Sequence, residues 1–154
     1  MGHQVATTLG PVVNPNNLKI EGFYCQEIKS RKIRILLSQD IRDMMPQGIV
    51  INDQDELTDP EELVRLKEIL EINFDPLGKQ VETTGKEKIG KVSDYSVEID
   101  GLFIQKLYVS QSLFKSFSGG NLGVDRTQIV EITHNVIVIN DLHGKVPATA
   151  RAVA

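Results

Sequence analysis

With 154 residues, 40% of them apolar and 25% charged, the chain has room for one compact domain or two very small ones, in an ordinary soluble mixture. No run approaches the roughly eighteen consecutive apolar residues that a membrane-spanning helix needs. The net charge of −4 is uneven: residues 53–75 hold nine acids and two bases, leaving residues 1–52 at +2 and 76–154 at +1. Neither half therefore carries the concentrated basic excess of a strong nucleic-acid binder.

Residues 4–8 and 11–13 are short β-branched runs, closed by Asn14-Pro15-Asn16-Asn17, a cluster that favours a turn. Leu18 to Cys25 then reads as a half-buried strand, Glu27 to Arg31 as a hairpin tip and Arg34 to Leu37 as the returning strand. Asp40 to Pro46 is expected to contain a short bend, and Gly48 to Asp53 reads as an apolar strand too continuous for a fully wet face. Five short strands at this spacing predict a small barrel or curled sheet.

The acidic connector carries helix signals. Asp59 suits an N-cap, Pro60 the first helical position and Glu62 the third position of a capping box, while Leu63, Leu66, Ile69 and Leu70 share a face. The spacing predicts a helix over 60–71, ended by Pro76 and Gly78. Beyond it, Gly85-Lys86 predicts a turn, Asp100-Gly101 a two-residue hairpin between residues 89–99 and 102–110, and Gly119-Gly120 a further turn. Val124 to Ile132 and Asn135 to Asp141 follow as strands, and residues 144–154 read as a mobile tail.

An internal repeat organises these elements. Ile49-Val50-Ile51-Asn52-Asp53 returns as Ile137-Val138-Ile139-Asn140-Asp141, and at the same offset of 88 Leu36 maps to Val124, Ile41 to Ile129, Asp43 to Glu131 and Met44 to Ile132. Gln4 to Thr8 resembles Gln80 to Thr84 at an offset of 76, and Gly10-Pro11-Val12 resembles Gly90-Lys91-Val92 at 80. An offset that grows along the repeat indicates longer loops in the second copy with the strand order kept. Each half alone would be marginal in buried core, so the halves are expected to lean on each other.

Gly78-Lys79-Gln80-Val81, Ile89-Gly90-Lys91-Val92-Ser93-Asp94, a hairpin, Val124 to Ile129 and Val136-Ile137-Val138 together resemble the PRC-barrel domain. That family is shared by the bacterial ribosome-maturation factor and the H subunit of photosynthetic reaction centres. The resemblance covers residues 76–143 and extends more weakly to 4–53. It implies a mainly β chain of two small PRC-type barrels in tandem: a degenerate unit at 1–56, a connector helix at 57–74, a second barrel at 75–143 and a flexible tail at 144–154. The chain departs from both named members, which carry a different N-terminal barrel domain and a membrane helix respectively, so a double-barrel relative with its own role is expected.

The chemically tempting residues have plainer readings. Asp53, Asp55, Asp59, Glu61 and Glu62 lack the glycine of a calcium loop, and Leu57 stands at a ligand position. Cys25 in an apolar strand reads as a buried, inert thiol, and one cysteine excludes an intramolecular disulfide. His3, His134 and His143 have no metal-ligand spacing. Asp125 and Arg126 read either as a functional pair or as a local salt bridge. No glycine-rich phosphate loop, nucleophile elbow or HExxH is present, so neither an enzyme nor a cofactor is expected. Met1-Gly2-His3-Gln4 lacks the features of a secretory signal, which together with the single cysteine leads to an expectation of a reducing cytoplasm.

Most functional content lies in Lys29-Ser30-Arg31-Lys32-Ile33-Arg34, four bases in six residues at the hairpin tip. Such a loop can contact phosphates or an acidic protein surface, or simply be a solvated turn that protects a sheet edge. The leading expectation is a non-enzymatic docking or assembly module that binds a protein partner, with ribosome maturation or RNA processing implied by the resemblance. Its alternatives are direct rRNA binding through Lys29, Arg31, Lys32 and Arg34 with Lys86, Lys88 and Lys91, and self-assembly, for instance as a homodimer, through barrel edges. Arg126 joins these residues as a candidate partner contact.

Overall fold

The structure is a computed structural model that describes residues 2–111 and 121–140. It is mainly β with one short helix, and divides between Phe74 and Asp75 into two compact units. The expected Gly119-Gly120 turn, Asp141, His143 and the 144–154 tail lie outside the described residues. No helix among the described residues is long and apolar enough to cross a membrane.

In the first unit, β1 (Ala6–Val13), β2 (Ile20–Glu27), β3 (Ile33–Leu37) and β6 (Leu57–Thr58) form an antiparallel sheet in the order β1-β2-β3-β6. Pro11 lies in β1, an edge strand, where a missing N–H can be tolerated. The turn before β2 is set by Asn14, whose side chain accepts from Asn16 N at 2.9 Å while its carbonyl accepts from Leu18 N at 2.7 Å. A second sheet is the hairpin of β4 (Ile41–Met45) and β5 (Gly48–Ile51). Its Ile41, Ile49 and Ile51 pack against the buried cluster of Cys25, Leu36 and Leu57.

In the second unit, β7 (Gln80–Thr83), β8 (Lys88–Glu98), β9 (Phe103–Gln111), β10 (Asn121–Asp125), β11 (Ile129–Ile132) and β12 (Val136–Ile139) form one sheet in the order β10-β9-β8-β7-β12-β11. All neighbours are antiparallel except β7 and β12, which run parallel. Val81, Ile104, Leu107, Val109, Val124, Ile137 and Ile139 are fully buried on this sheet. Burial of side chains of this size stabilises by roughly 1.5–3 kcal/mol each relative to leaving them in water. None of the three sheets closes on itself by hydrogen bonding among the described residues.

The repeat at an offset of 88 is present in three dimensions, residue by residue. In the β4–β5 hairpin Ile41 faces Ile51, Asp43 faces Val50 and Met44 faces Ile49; in β11–β12 Ile129 faces Ile139, Glu131 faces Val138 and Ile132 faces Ile137. The same bulge interrupts both, leaving Arg42 and Val130 as the extra, exposed residues. A 3-10 turn precedes each hairpin at the same offset, Ser38–Asp40 and Arg126–Gln128. Within Asp40 to Pro46, expected to contain a short bend, residues Ile41–Met45 form a strand whose alternation is hidden by the bulge.

The second repeat block behaves differently. Gln80–Thr83 forms β7 between β8 and β12, but Ala6, Thr7 and Thr8 pair with Glu27, Gln26 and Cys25 of β2. The cause is chain length: only Leu9 separates Thr8 from Gly10, whereas Gly85 to Ile89 separate Thr84 from Gly90. Five residues allow the second copy to turn back on itself, and one does not.

The expected 60–71 helix is broken. Asp59 does cap, accepting from Glu61 N at 3.0 Å, but the capped element is a 3-10 turn, Pro60–Glu62, followed by another at Val64–Leu66 and by α1 (Lys67–Ile72). Leu63, at φ −94° and ψ 77°, leaves the helical region. The preceding residues are already bound, Leu57 and Thr58 to β3 and Asp59 to Arg34, so tertiary contacts override a helix of marginal length. Leu66 is buried, Leu63, Ile69 and Leu70 are half-buried, and Asn73 ends α1 in the left-handed conformation. This segment belongs to the first unit.

Candidate functional site

The basic tip joins β2 to β3 and has an ordered backbone. Glu27 N donates to Lys32 O and Arg31 N to Glu27 O, both at 3.0 Å, with Arg31 in the left-handed conformation at φ +65°. Ser30 Oγ donates to Glu27 Oε1 at 2.6 Å and accepts from Lys32 N at 3.1 Å. The Ser30 hydroxyl, then the Gln54 amide and Arg34, hold the Glu27 carboxyl below the usual glutamate range against its partial desolvation. Glu27 thus organises the turn, and Lys29, Arg31 and Lys32 stay exposed, with no ion pair among the described residues.

Arg34 is a different kind of residue. It is half-buried, its Nε lies 3.4 Å from Glu27 Oε1 and its Nη1 3.5 Å from Asp59 Oδ2. It ties β3 to the tip and to the 3-10 turn after β6, unlike the exposed Lys29, Arg31 and Lys32.

In the second unit Lys86 stands exposed at the β7–β8 turn, in the left-handed conformation, with Lys88 and Lys91 exposed on β8. Cross-strand register places Lys91 opposite Gln80 and Ser110, Lys88 opposite Glu82, Tyr108 opposite Asp94, and Lys106 opposite Ser96 and Asp125. Glu131 joins the same face through Val138 and Glu82. Lys88, Lys91 and Lys106 are therefore interleaved with Glu82, Asp94, Asp125 and Glu131. Lys106, Glu82, Asp94 and Glu131 were missed in the sequence, and Asp125 was singled out only as a partner of Arg126; the signal was the period-two alternation of the strands, which sorts charges to one face once the register is known.

Arg126 lies toward the other end of β8 and β9 from Lys86, Lys88 and Lys91, next to Asp125, which pairs with Lys106. Its guanidinium stacks over the Phe103 ring, 4.1 Å from the centroid. The Asp125–Arg126 salt bridge considered from sequence is replaced by two separate local roles. Asp125 caps the 3-10 turn in a full capping box, accepting from Thr127 N at 3.0 Å and from Thr127 Oγ1 at 2.7 Å while Asp125 N donates to Gln128 Oε1 at 2.9 Å. Those Thr127 bonds, with smaller help from Lys106 and Arg126, hold its carboxyl below the usual aspartate range. The hairpin that carries Phe103 also differs from expectation: residues 99–102 form a four-residue loop with the left-handed conformation at Leu102, not at Gly101. Gly101 matters there for another reason: a Cβ would lie 2.8 Å from the Phe103 ring, which would have to shift to admit it.

Cys25 is 2% exposed, its thiol pushed up by burial, which makes a poor nucleophile. Among the described residues no group of three or more His, Cys, Asp or Glu is arranged to hold a metal ion. The chain matches no model of a known protein family, and no curated protein is similar to it.

Proposed function

We propose that the chain is a non-enzymatic docking or assembly module for a protein partner, each unit being a PRC-type barrel in tandem, with ribosome maturation or RNA processing as its setting. The fold family and the setting rest on the sequence resemblance. Protein binding is favoured by one observation: the exposed lysines of the six-stranded sheet alternate with carboxylates. A phosphate backbone is bound by accumulated positive charge, whereas charges of both signs suit the patterned surface of another protein. The ordered tip of Lys29, Arg31 and Lys32 supplies local positive charge that steers an acidic region of that partner into place.

The test is co-purification before and after nuclease treatment, repeated with Lys29→Glu, Arg31→Glu and Lys32→Glu combined. The expected result is a partner retained after nuclease, whose association is slowed sharply by the triple reversal and loses most of its salt dependence. Folding should barely change, because exposed substitutions usually stay within about 0.5 kcal/mol each. Loss of every partner on nuclease treatment, with a steep fall of affinity in salt, would assign the function to direct RNA binding instead.

A further inference from the structure

The repeat identifies a position that a strand fills in one unit and that, among the described residues, no strand fills in the other. β5 and β12 are the same strand in sequence register, Gly48–Ile51 against Val136–Ile139, in hairpins with identical pairing and the same bulge. One edge of β12 is taken by β11, and the other by β7, running parallel with Gln80 beside Val136 and Thr83 beside Ile139. β5 is paired with β4 on one edge, and among the described residues no strand is hydrogen-bonded to the other. The sequence block that could have filled it, Gln4 to Thr8, is committed through Ala6, Thr7 and Thr8 to β2.

Burial reports the same difference independently. Ile137 and Ile139 are 0% exposed, while their counterparts Ile49 and Ile51 remain half-buried. We infer that the free edge of β5 is a docking position for an extended segment of a protein partner, which adds to it as a parallel strand. Backbone hydrogen bonds would supply the pairing, and alternate side chains the selectivity. The occupant's chemistry follows from β7, where Val81 and Thr83 are buried and Gln80 and Glu82 are more exposed. It is a segment alternating polar and β-branched residues, whose β-branched side chains complete the cover over Ile49 and Ile51.

This inference rests on the docking reading and is tested separately from it. The probe is a synthetic peptide of residues 78–85, Gly-Lys-Gln-Val-Glu-Thr-Thr-Gly, titrated into the intact isotope-labelled chain and followed by NMR. Amide shifts and slowed exchange should centre on residues 48–51, with methyl shifts at Ile49 and Ile51. The same peptide carrying Glu82→Pro should bind roughly ten-fold more weakly or not at all, since alternation from Thr84, whose N–H donates to Ile139 O of β12, makes residue 82 the preceding ladder donor on that edge. Absence of β5 shifts at millimolar peptide, shifts centred elsewhere, or equal binding by the proline peptide would overturn the inference. So would concentration-dependent β5 shifts without peptide, which would assign the edge to a second copy. A failed titration beside a nuclease-resistant partner removes the edge and leaves the docking function standing.

Discussion

The β4–β5 hairpin of the first unit and the β11–β12 hairpin of the second share register, bulge and preceding 3-10 turn, yet they sit in different sheets. The first is a separate two-stranded piece, and the second is the end of six strands. Five residues between Thr84 and Gly90, against one between Thr8 and Gly10, account for this, because they let β7 form and join β12 to β8. Duplicated side chains thus keep their local geometry while a loop difference decides how deeply they are buried. The same residue type should then carry unequal energetic weight in the two copies.

The largest inequality is expected at Gly10 and Gly90. Both take φ values open chiefly to glycine, +158° and +155°, but a Cβ at Gly90 would lie 1.9 Å from Ser110 O, whereas at Gly10 nothing lies within 4 Å. Gly90→Ala should cost roughly 4 kcal/mol or unfold the second unit, and Gly10→Ala about 1 kcal/mol, the strain alone. Residue-resolved NMR across a urea series would measure both; equal costs would break the comparison.

A smaller difference is expected at the repeated isoleucines. Ile137→Ala removes a fully buried side chain and should cost about 3 kcal/mol, against about half that for the half-buried Ile49→Ala, by the same urea series. If the two losses match, the exposure difference between the hairpins has no energetic meaning.

These pairs also indicate what was legible beforehand. Side-chain types at fixed offsets located the repeat, the turns at Asn14 and Lys86, the basic tip and the capping role of Asp59, since each depends on local chemistry. β4 was hidden because the bulge at Arg42 breaks the period of two. The connector helix was overestimated because Pro60 and the leucine spacing carry no information about β6 or the Arg34–Asp59 contact. Within the candidate site, Arg34 looked like a fourth free base, and only folding brings Glu27 and Asp59 to it. The equivalence of Gln4–Thr8 with β7 failed for a similar reason, since residue types do not reveal which strand a segment pairs with.

The smallest expected effects are in acid. Glu27 and Asp125 each organise one local feature of their unit, a tip and a cap, through hydroxyl and amide donors that hold both carboxyls below their ordinary values. A carboxyl that titrates lower when folded contributes stability that is fully present above the unfolded value and is lost as pH falls through the folded one. Ser30→Ala should therefore raise the Glu27 value toward an ordinary glutamate and lessen that acid-range loss, with Asp125 unaffected. Carboxyl NMR titration of the parent and the variant would check it; an unmoved Glu27 would deny Ser30 its organising part.

The central claim, that one hairpin has an open edge where its duplicate is closed on both sides, is tested most directly by amide hydrogen exchange in the intact chain. The amides of Ile137, Val138 and Ile139 should all exchange slowly, while among Ile49, Val50 and Ile51 at least one that points away from β4 should exchange nearly as fast as an exposed loop. Uniformly slow exchange along β5, matching β12, would show its edge already covered and contradict the account.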